Sequence, residues 1–169
     1  MAIAAAVTSA GILFCYRSRW EAHLLLTITA FFIYQIFWHN QVVKPDEMPL
    51  DVRLTGILAT LLVGGLALFV HYRKMYEKKT FEPLPFLTHV SNWMLMAVGF
   101  LLYSTGSKWN TVILGAAAVA VYLLSLRARR LEIRWLSVTD KLTAQAVAVF
   151  SLLTLYRWDV PWSLAVLAL

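Results

Sequence analysis

Residues 54–70 read LTGILATLLVGGLALFV, an unbroken run without a charged side chain. A helix of about 20 mostly apolar residues, within a range of about 17 to 25, crosses the hydrocarbon core of a bilayer. The whole chain has the same character, because its mean hydropathy is +0.68 and only 14% of its residues are charged, against about 25% in soluble domains. The composition therefore predicts an integral membrane protein rather than a soluble domain.

Further apolar blocks lie on both sides of this run. They cover residues 1–16, 22–39, 84–104, 109–126 and 142–156, and a shorter block covers residues 161–169. A backbone in lipid must satisfy its own hydrogen bonds, which only helices and closed barrels do, and the strict alternation of barrel strands is absent. The sequence predicts an all-α fold, a polytopic transmembrane helix bundle with six full spans plus a partial seventh.

We expect residues 1–169 to form a single transmembrane domain. The last apolar block, residues 161–169, would extend only about 13 Å as a helix, against a hydrocarbon core of about 30 Å. This short block indicates a fragment of a longer multi-pass protein.

Alternate connections between the apolar blocks are rich in lysine and arginine. The basic connections contain Arg17, Arg19, Arg73, Lys74, Lys78, Lys79, Arg127, Arg129, Arg130, Arg134 and Lys141, whereas the others contain Lys44, Arg53, Lys108 and Arg157. In short loops this bias sets the orientation of a membrane protein, with the basic loops inside. The sequence predicts a multi-pass protein of the cell membrane whose basic loops are cytoplasmic and whose first helix starts outside.

The most basic connection is RARRLEIR, residues 127–134. Its arginines can fix the topology and rest on anionic headgroups, at about 1 kcal/mol for each residue near the surface. Alternatively, they can form a specific site for an anionic lipid or a nucleotide. A following helix whose start is capped by Ser137, Thr139 or Asp140 would add free N–H groups that attract anions.

The hypothesis that follows is a site for an anionic lipid headgroup at Arg129, Arg130 and Arg134. Nucleic acid is not an expected partner, because no nucleic-acid-binding module and no aromatic-interleaved basic surface accompanies the charge. The expected partners are the lipid bilayer and its anionic lipids.

Few polar side chains interrupt the apolar blocks. Gln35 and Gln145 are the strongest of them, and such groups form hydrogen bonds between membrane helices worth about 0.6 kcal/mol on average. We therefore predict that both glutamines bridge helices rather than bind a substrate. The centres of the blocks contain no ionisable residue, which disfavours an ion pump.

Small residues repeat every four positions in three of the blocks, as the pairs Thr111 with Gly115 and Ala116 with Ala120 in residues 109–126 and as longer stripes in two others. The two stripes are Gly56, Thr60 and Gly64 in residues 54–70, and Ala2, Ala6 and Ala10 in residues 1–16. Such spacing lets helix backbones approach one another closely in lipid. We expect both stripes to pack against other helices.

Four histidines raise the question of a cofactor. They are His23, His71 and His89, expected near the inner surface, and His39, expected near the outer surface. Haem would need two of them at matching depth on facing helices, but contacts with headgroups or helix ends are the favoured interpretation. No HExxH or similar metal-site spacing occurs, and the carboxylates in residues 46–51 are interpreted as a solvated turn rather than a calcium site.

The sequence also lacks the usual signatures of catalysis, since it contains no Ser-His-Asp set, Walker loop or CxxC motif. Its single cysteine, Cys15, is expected to be a buried and unreactive thiol. We therefore expect no catalytic residue, no metal and no cofactor.

The chain repeats one pattern, in which paired helices are joined by arginine-rich inner turns and carry tryptophans at the span ends. The stretch RSRW at residues 17–20 belongs to this pattern. In these features the chain resembles large uncharacterised bacterial multi-pass membrane proteins and the membrane regions of some bacterial sensors. The resemblance implies a multi-pass helical fold and supplies no catalytic motif.

Two functions remain open at this point. The first is a non-catalytic integral membrane module that serves as an anchor or sensor, or that assembles with other membrane subunits or with a soluble domain. The second is a transporter or lipid-handling protein with a cavity between helix hairpins. A membrane enzyme that uses His23, His71, His89 and Asp140 at the inner surface is a distant third.

Overall fold

The computed structural model describes residues 1–18, 20–42, 48–104 and 110–156. These residues form an all-α protein with six helices. The helices are α1 (Ala2–Ser18), α2 (Glu21–Val42), α3 (Leu50–Lys78), α4 (Pro83–Ser104), α5 (Asn110–Arg130) and α6 (Arg134–Tyr156).

Four of the described helices, α2 to α5, are long and apolar enough to cross a membrane. Helix α1 is apolar but has only 17 residues. Spans at α1 and α6 therefore remain a prediction, and the predicted partial seventh span at residues 161–169 lies outside the described residues.

The chain divides into two compact units, Met1–Thr105 and Gly106–Leu169. In the N-terminal unit, α1 packs against α2 and α3, and α4 packs against α2 and α3. In the C-terminal unit, α5 and α6 pack against each other as a helical hairpin.

Helix α3 is longer than the apolar run from which it was predicted. It begins after Pro49, whose φ is −57° and ψ is 144°, and ends at Lys78, followed by Lys79, whose backbone is left-handed with a φ of 57°. The N–H of Lys79 donates to the carbonyl of Met75 at 2.9 Å and closes the last turn. Consequently Arg73, Lys74 and Lys78 lie on the helix, where cations favourably oppose its dipole.

The basic turn between α5 and α6 is very short. Glu132 adopts a left-handed conformation with a φ of 64°, and the N–H of Ile133 donates to the carbonyl of Ala128 at 3.0 Å. Together with the bond from Glu132 N–H to the Arg129 carbonyl, this is the Schellman geometry that ends a helix.

Because this turn is so short, α6 begins at Arg134 and not at the apolar block. Ser137 and Asp140 therefore lie within the helix, and the Thr139 hydroxyl donates to the carbonyl of Trp135 at 2.9 Å, one turn back. The prediction that Ser137, Thr139 or Asp140 caps the start of this helix was wrong, because the helix starts before all three.

The core of the N-terminal unit is apolar and includes Ile12, Leu24, Ile28, Val63, Ala67 and Val70. The predicted stripe on α3 is confirmed, since Gly56, Thr60 and Gly64 are all buried. A Cβ atom on Gly56 would overlap the Tyr103 ring, and one on Gly64 would overlap Met96. Both contacts are with α4.

The predicted stripe on α1 was wrong. Ala2, Ala6 and Ala10 are exposed, and the buried face of the helix carries Ala5, Ile12 and Cys15 instead. The larger Ile12 side chain buries more apolar surface than alanine, and it orients this face toward the core.

Candidate functional site

Six of the fully buried polar side chains in the described part of the N-terminal unit form what we call the polar seam. Its members are Gln35 on α2, Thr60 and His71 on α3, and His89, Asn92 and Tyr103 on α4. Burying a polar group is costly unless it is hydrogen-bonded. The partners of these side chains therefore show what the seam does.

At one end of the seam, Gln35 joins α2 to α3. Its Nε2 donates to the carbonyl of Gly56 at 3.0 Å and to the hydroxyl of Thr60 at 2.6 Å. The Thr60 hydroxyl donates in turn to the Gly56 carbonyl at 2.9 Å, and the Tyr103 hydroxyl donates to the Gln35 carbonyl at 3.1 Å. Three helices are thus hydrogen-bonded at one point.

A second connection lies further along the same interface. Asn92 Nδ2 donates to the carbonyl of Gly64 at 3.0 Å and lies 3.7 Å from Met96 Sδ. Sequence reasoning missed Asn92 as a bridging residue, although an asparagine inside the apolar run 84–104 was an available signal. Its partner is a backbone carbonyl, which no residue pattern identifies.

The two histidines of the seam lie at its other end. The rings of Tyr72 and His89 meet edge to face, with centroids 5.1 Å apart, and His71 precedes Tyr72 on α3. Both histidines are inaccessible to solvent. Of the two contacts expected for them, headgroups or helix ends, the contact with headgroups was therefore wrong. His23, in contrast, is exposed, and its ring centroid lies 4.7 Å from that of Trp20.

The basic turn of the C-terminal unit borders a surface cleft of about 730 Å³. The cleft is lined by Arg129, Glu132, Arg134, Ser137, Val138 and Lys141. Two of the three predicted lipid-binding arginines thus face one cleft together with Lys141, while Arg130 is exposed outside this lining. The other predicted bridging glutamine, Gln145, lies on an exposed face of α6.

A second cleft, of about 450 Å³, lies at the basic end of the N-terminal unit. It is lined by Tyr16, Arg17, Glu21, Lys74, Glu77 and Lys78. Lys74 Nζ lies 2.6 Å from Glu21 Oε1, and the two side chains are only 11% and 16% exposed. The Tyr16 ring lies beneath this ammonium group at 5.5 Å, so the C-terminal ends of α1 and α3 lie side by side.

Within the described residues, no group of three or more histidine, cysteine, aspartate or glutamate side chains could hold a metal ion. Asp46 and Glu47 of the predicted solvated turn lie outside those residues. Cys15 is a buried free thiol.

The fold and the seam define the class of the protein, an all-α protein with four helices able to span a membrane. Comparison of the chain with protein-family models, curated proteins and solved structures finds no match.

Proposed function

We propose that the chain is a non-catalytic integral membrane module that serves as an anchor or sensor, or assembles with other membrane subunits or a soluble domain. The observation that carries the proposal is that buried polar side chains form hydrogen bonds from one helix to another. Gln35, Asn92 and Tyr103 each donate to a backbone carbonyl of a different helix. Such bonds hold membrane helices together.

Close packing along the same interface supports this proposal. Gly56 and Gly64 leave no room for even one more carbon atom beside α4, and a Cβ on Gly99 would lie 2.9 Å from the side-chain oxygens of Gln35 and Thr60. A transporter needs a cavity near the bilayer midplane that opens alternately to each side. An interface filled by side chains favours a fixed scaffold over such a cavity.

The proposal includes the topology. It has six full spans plus a partial seventh. Because short loops rich in lysine and arginine stay inside, the basic connections would lie in the cytoplasm and α1 would start outside the cell membrane. In the N-terminal unit, Arg73 and Lys74 at the end of α3 both lie against the Tyr16 ring at the end of α1. These cations therefore belong to one end of the unit, as the positive-inside interpretation requires.

Single cysteines in a Cys15→Ser background test both parts of the proposal. We expect Val63→Cys, at a fully buried position, to resist a membrane-impermeant thiol reagent from either side. Asn40→Cys should react in intact cells and Thr80→Cys only after permeabilisation, since both positions are exposed but belong to opposite ends. Mass spectrometry of the labelled protein gives the extent of reaction.

Labelling of Val63→Cys at a rate close to that of Thr80→Cys would contradict the scaffold and support the alternative function, a transporter or lipid-handling protein. Reaction of Thr80→Cys in intact cells would contradict the orientation.

The cleft at the basic turn supports a second part of the proposal, binding of an anionic lipid headgroup by Arg129 and Arg134. Three cations and a single carboxylate line this cleft, so it attracts negative charge. Guanidinium groups suit phosphate because they donate two parallel hydrogen bonds. Arg130, the third arginine of the hypothesis, would contribute only through its charge.

We expect lipid to co-purify with the protein and to be reduced several-fold in the double variant Arg129→Gln, Arg134→Gln. Native mass spectrometry measures the fraction of lipid-bound protein. The matched control is Arg73→Gln, Lys79→Gln, which removes equal charge from exposed positions that belong to neither the cleft lining nor the lipid-site hypothesis. Equal loss of lipid from both variants would mean that the charge acts generically and that there is no site.

A further inference from the structure

We propose that His71, Met75 and His89 bind a soft monovalent cation, Cu(I), between α3 and α4. The starting observation is His71, which is fully buried. Among the described residues, neither of its ring nitrogens has a hydrogen-bond partner. A neutral imidazole carries one donor and one acceptor, and leaving such a group buried without a partner costs about 1–3 kcal/mol. A metal ion would satisfy the acceptor nitrogen.

The register of the two helices brings the second imidazole to the same level. Successive contacts along the antiparallel pair join Gly56 to Tyr103 and Gly64 to Met96. The next contact along the pair joins Tyr72 to His89. In this register His71, the neighbour of Tyr72 in the chain, lies at the same level along the helix pair as His89.

The third donor is a thioether one helical turn further along α3. Residues at positions i and i+4 lie on the same face of a helix, so Met75 shares the face of His71. Its side chain is only 3% exposed. Two buried imidazoles and a buried thioether thus lie within about one helical turn of each other along the α3–α4 pair. In the topology proposed above this is the cytoplasmic end of the seam, close to the helix ends from which an ion could enter.

The chemistry of this donor set selects the ion. Thioether and imidazole are soft or intermediate donors that suit Cu(I), whereas carboxylate and carbonyl oxygens suit magnesium, calcium and manganese. All three donors are neutral, so a bound ion keeps its full charge in a buried site, where each charge is costly. Lys74 adds positive charge nearby, although Glu21 offsets it. A monovalent cation is therefore favoured over Zn(II).

The test uses the full chain, purified in detergent without oxygen and titrated with Cu(I) against a chromophoric chelator. We expect one Cu(I) per chain in the unmodified protein. Met75→Leu keeps the volume of the side chain and the apolar packing, and it should weaken Cu(I) binding at least about tenfold, because even changes around the ligands cost about 10- to 100-fold. His71→Leu should abolish binding.

Matched controls separate this site from adventitious binding. Met94→Leu removes a thioether that is 67% exposed on α4, and His23→Ala removes an exposed imidazole; neither should change Cu(I) binding. X-ray absorption should show a sulfur neighbour of copper that disappears in Met75→Leu. Unchanged affinity in Met75→Leu, equal losses in the controls, or tighter binding of Zn(II) than of Cu(I) would each overturn the proposal.

Discussion

Replacing Gly56 with alanine is expected to destabilise the N-terminal unit by about 1–3 kcal/mol, the usual cost of overpacking a core. This loss of stability is the opposite of what helix propensity alone predicts, since alanine is the better helix former by about 1 kcal/mol. The reason is that the new methyl group would overlap the ring of Tyr103. That ring is fully buried and its hydroxyl is bonded to the Gln35 carbonyl, so it cannot move without breaking the connection to α2.

Gly65→Ala is the matched control on the same helix. No other described side chain or neighbouring backbone lies within 4 Å of a Cβ built on Gly65, so this variant should gain up to about 1 kcal/mol from helix propensity alone. Unfolding in detergent, followed by helical circular dichroism, compares the two variants. If Gly56→Ala were as stable as Gly65→Ala, the close approach of α3 and α4 at this point would be disproved.

The same stripe shows how far the sequence predicts this fold. An uncharged run such as residues 54–70 must be helical in lipid, and this local property could be predicted. Small residues every four positions permit close packing but do not ensure it, since the stripe on α3 is buried whereas the one on α1 is exposed. The partner of Gly56 could not be predicted, because Tyr103 reaches it only through the register of α3 and α4, and many side chains set that register together.

The helix ends were predicted less well, for a physical reason. The apolar run stops at Val70, but α3 continues to Lys78. Lysine and arginine are good helix formers, and their long stems keep the charged groups in water while the helix goes on. This extension buries His71 against α4, so a residue expected at the membrane surface lies inside the protein.

Some residues of the candidate sites could be predicted from the sequence and others could not. Gln35 could be recognised as a bridging residue because an amide inside an apolar run needs a partner. Asn92 makes the same kind of bond and was missed. The cleft beside Arg129 and Arg134 includes Lys141, which follows the arginines only after the short turn returns the chain along α6. Its position depends on the left-handed Glu132, which the sequence does not mark.

Lys74→Met is expected to destabilise the protein by about 3 kcal/mol, the lower end of the cost of breaking a buried ion pair. The pair with Glu21 joins α3 to α2 at 2.6 Å, and both side chains are largely buried. Methionine keeps the stem of lysine but leaves the Glu21 carboxylate without its cation. It also removes the ammonium group above the Tyr16 ring.

Two comparisons distinguish this pair from surface charge. Lys78→Met breaks a pair with Glu82 whose side chains are 50% and 37% exposed, so it should cost no more than about 0.5 kcal/mol. Adding Glu21→Gln to Lys74→Met should restore part of the lost stability, because no unpaired charge then remains buried. Denaturant unfolding of the unmodified protein, Lys74→Met, Glu21→Gln and the double variant gives the coupling energy between Lys74 and Glu21. A coupling as small as that of an exposed pair would show that the two side chains are solvated, and that the basic ends of α2 and α3 are not tied together there.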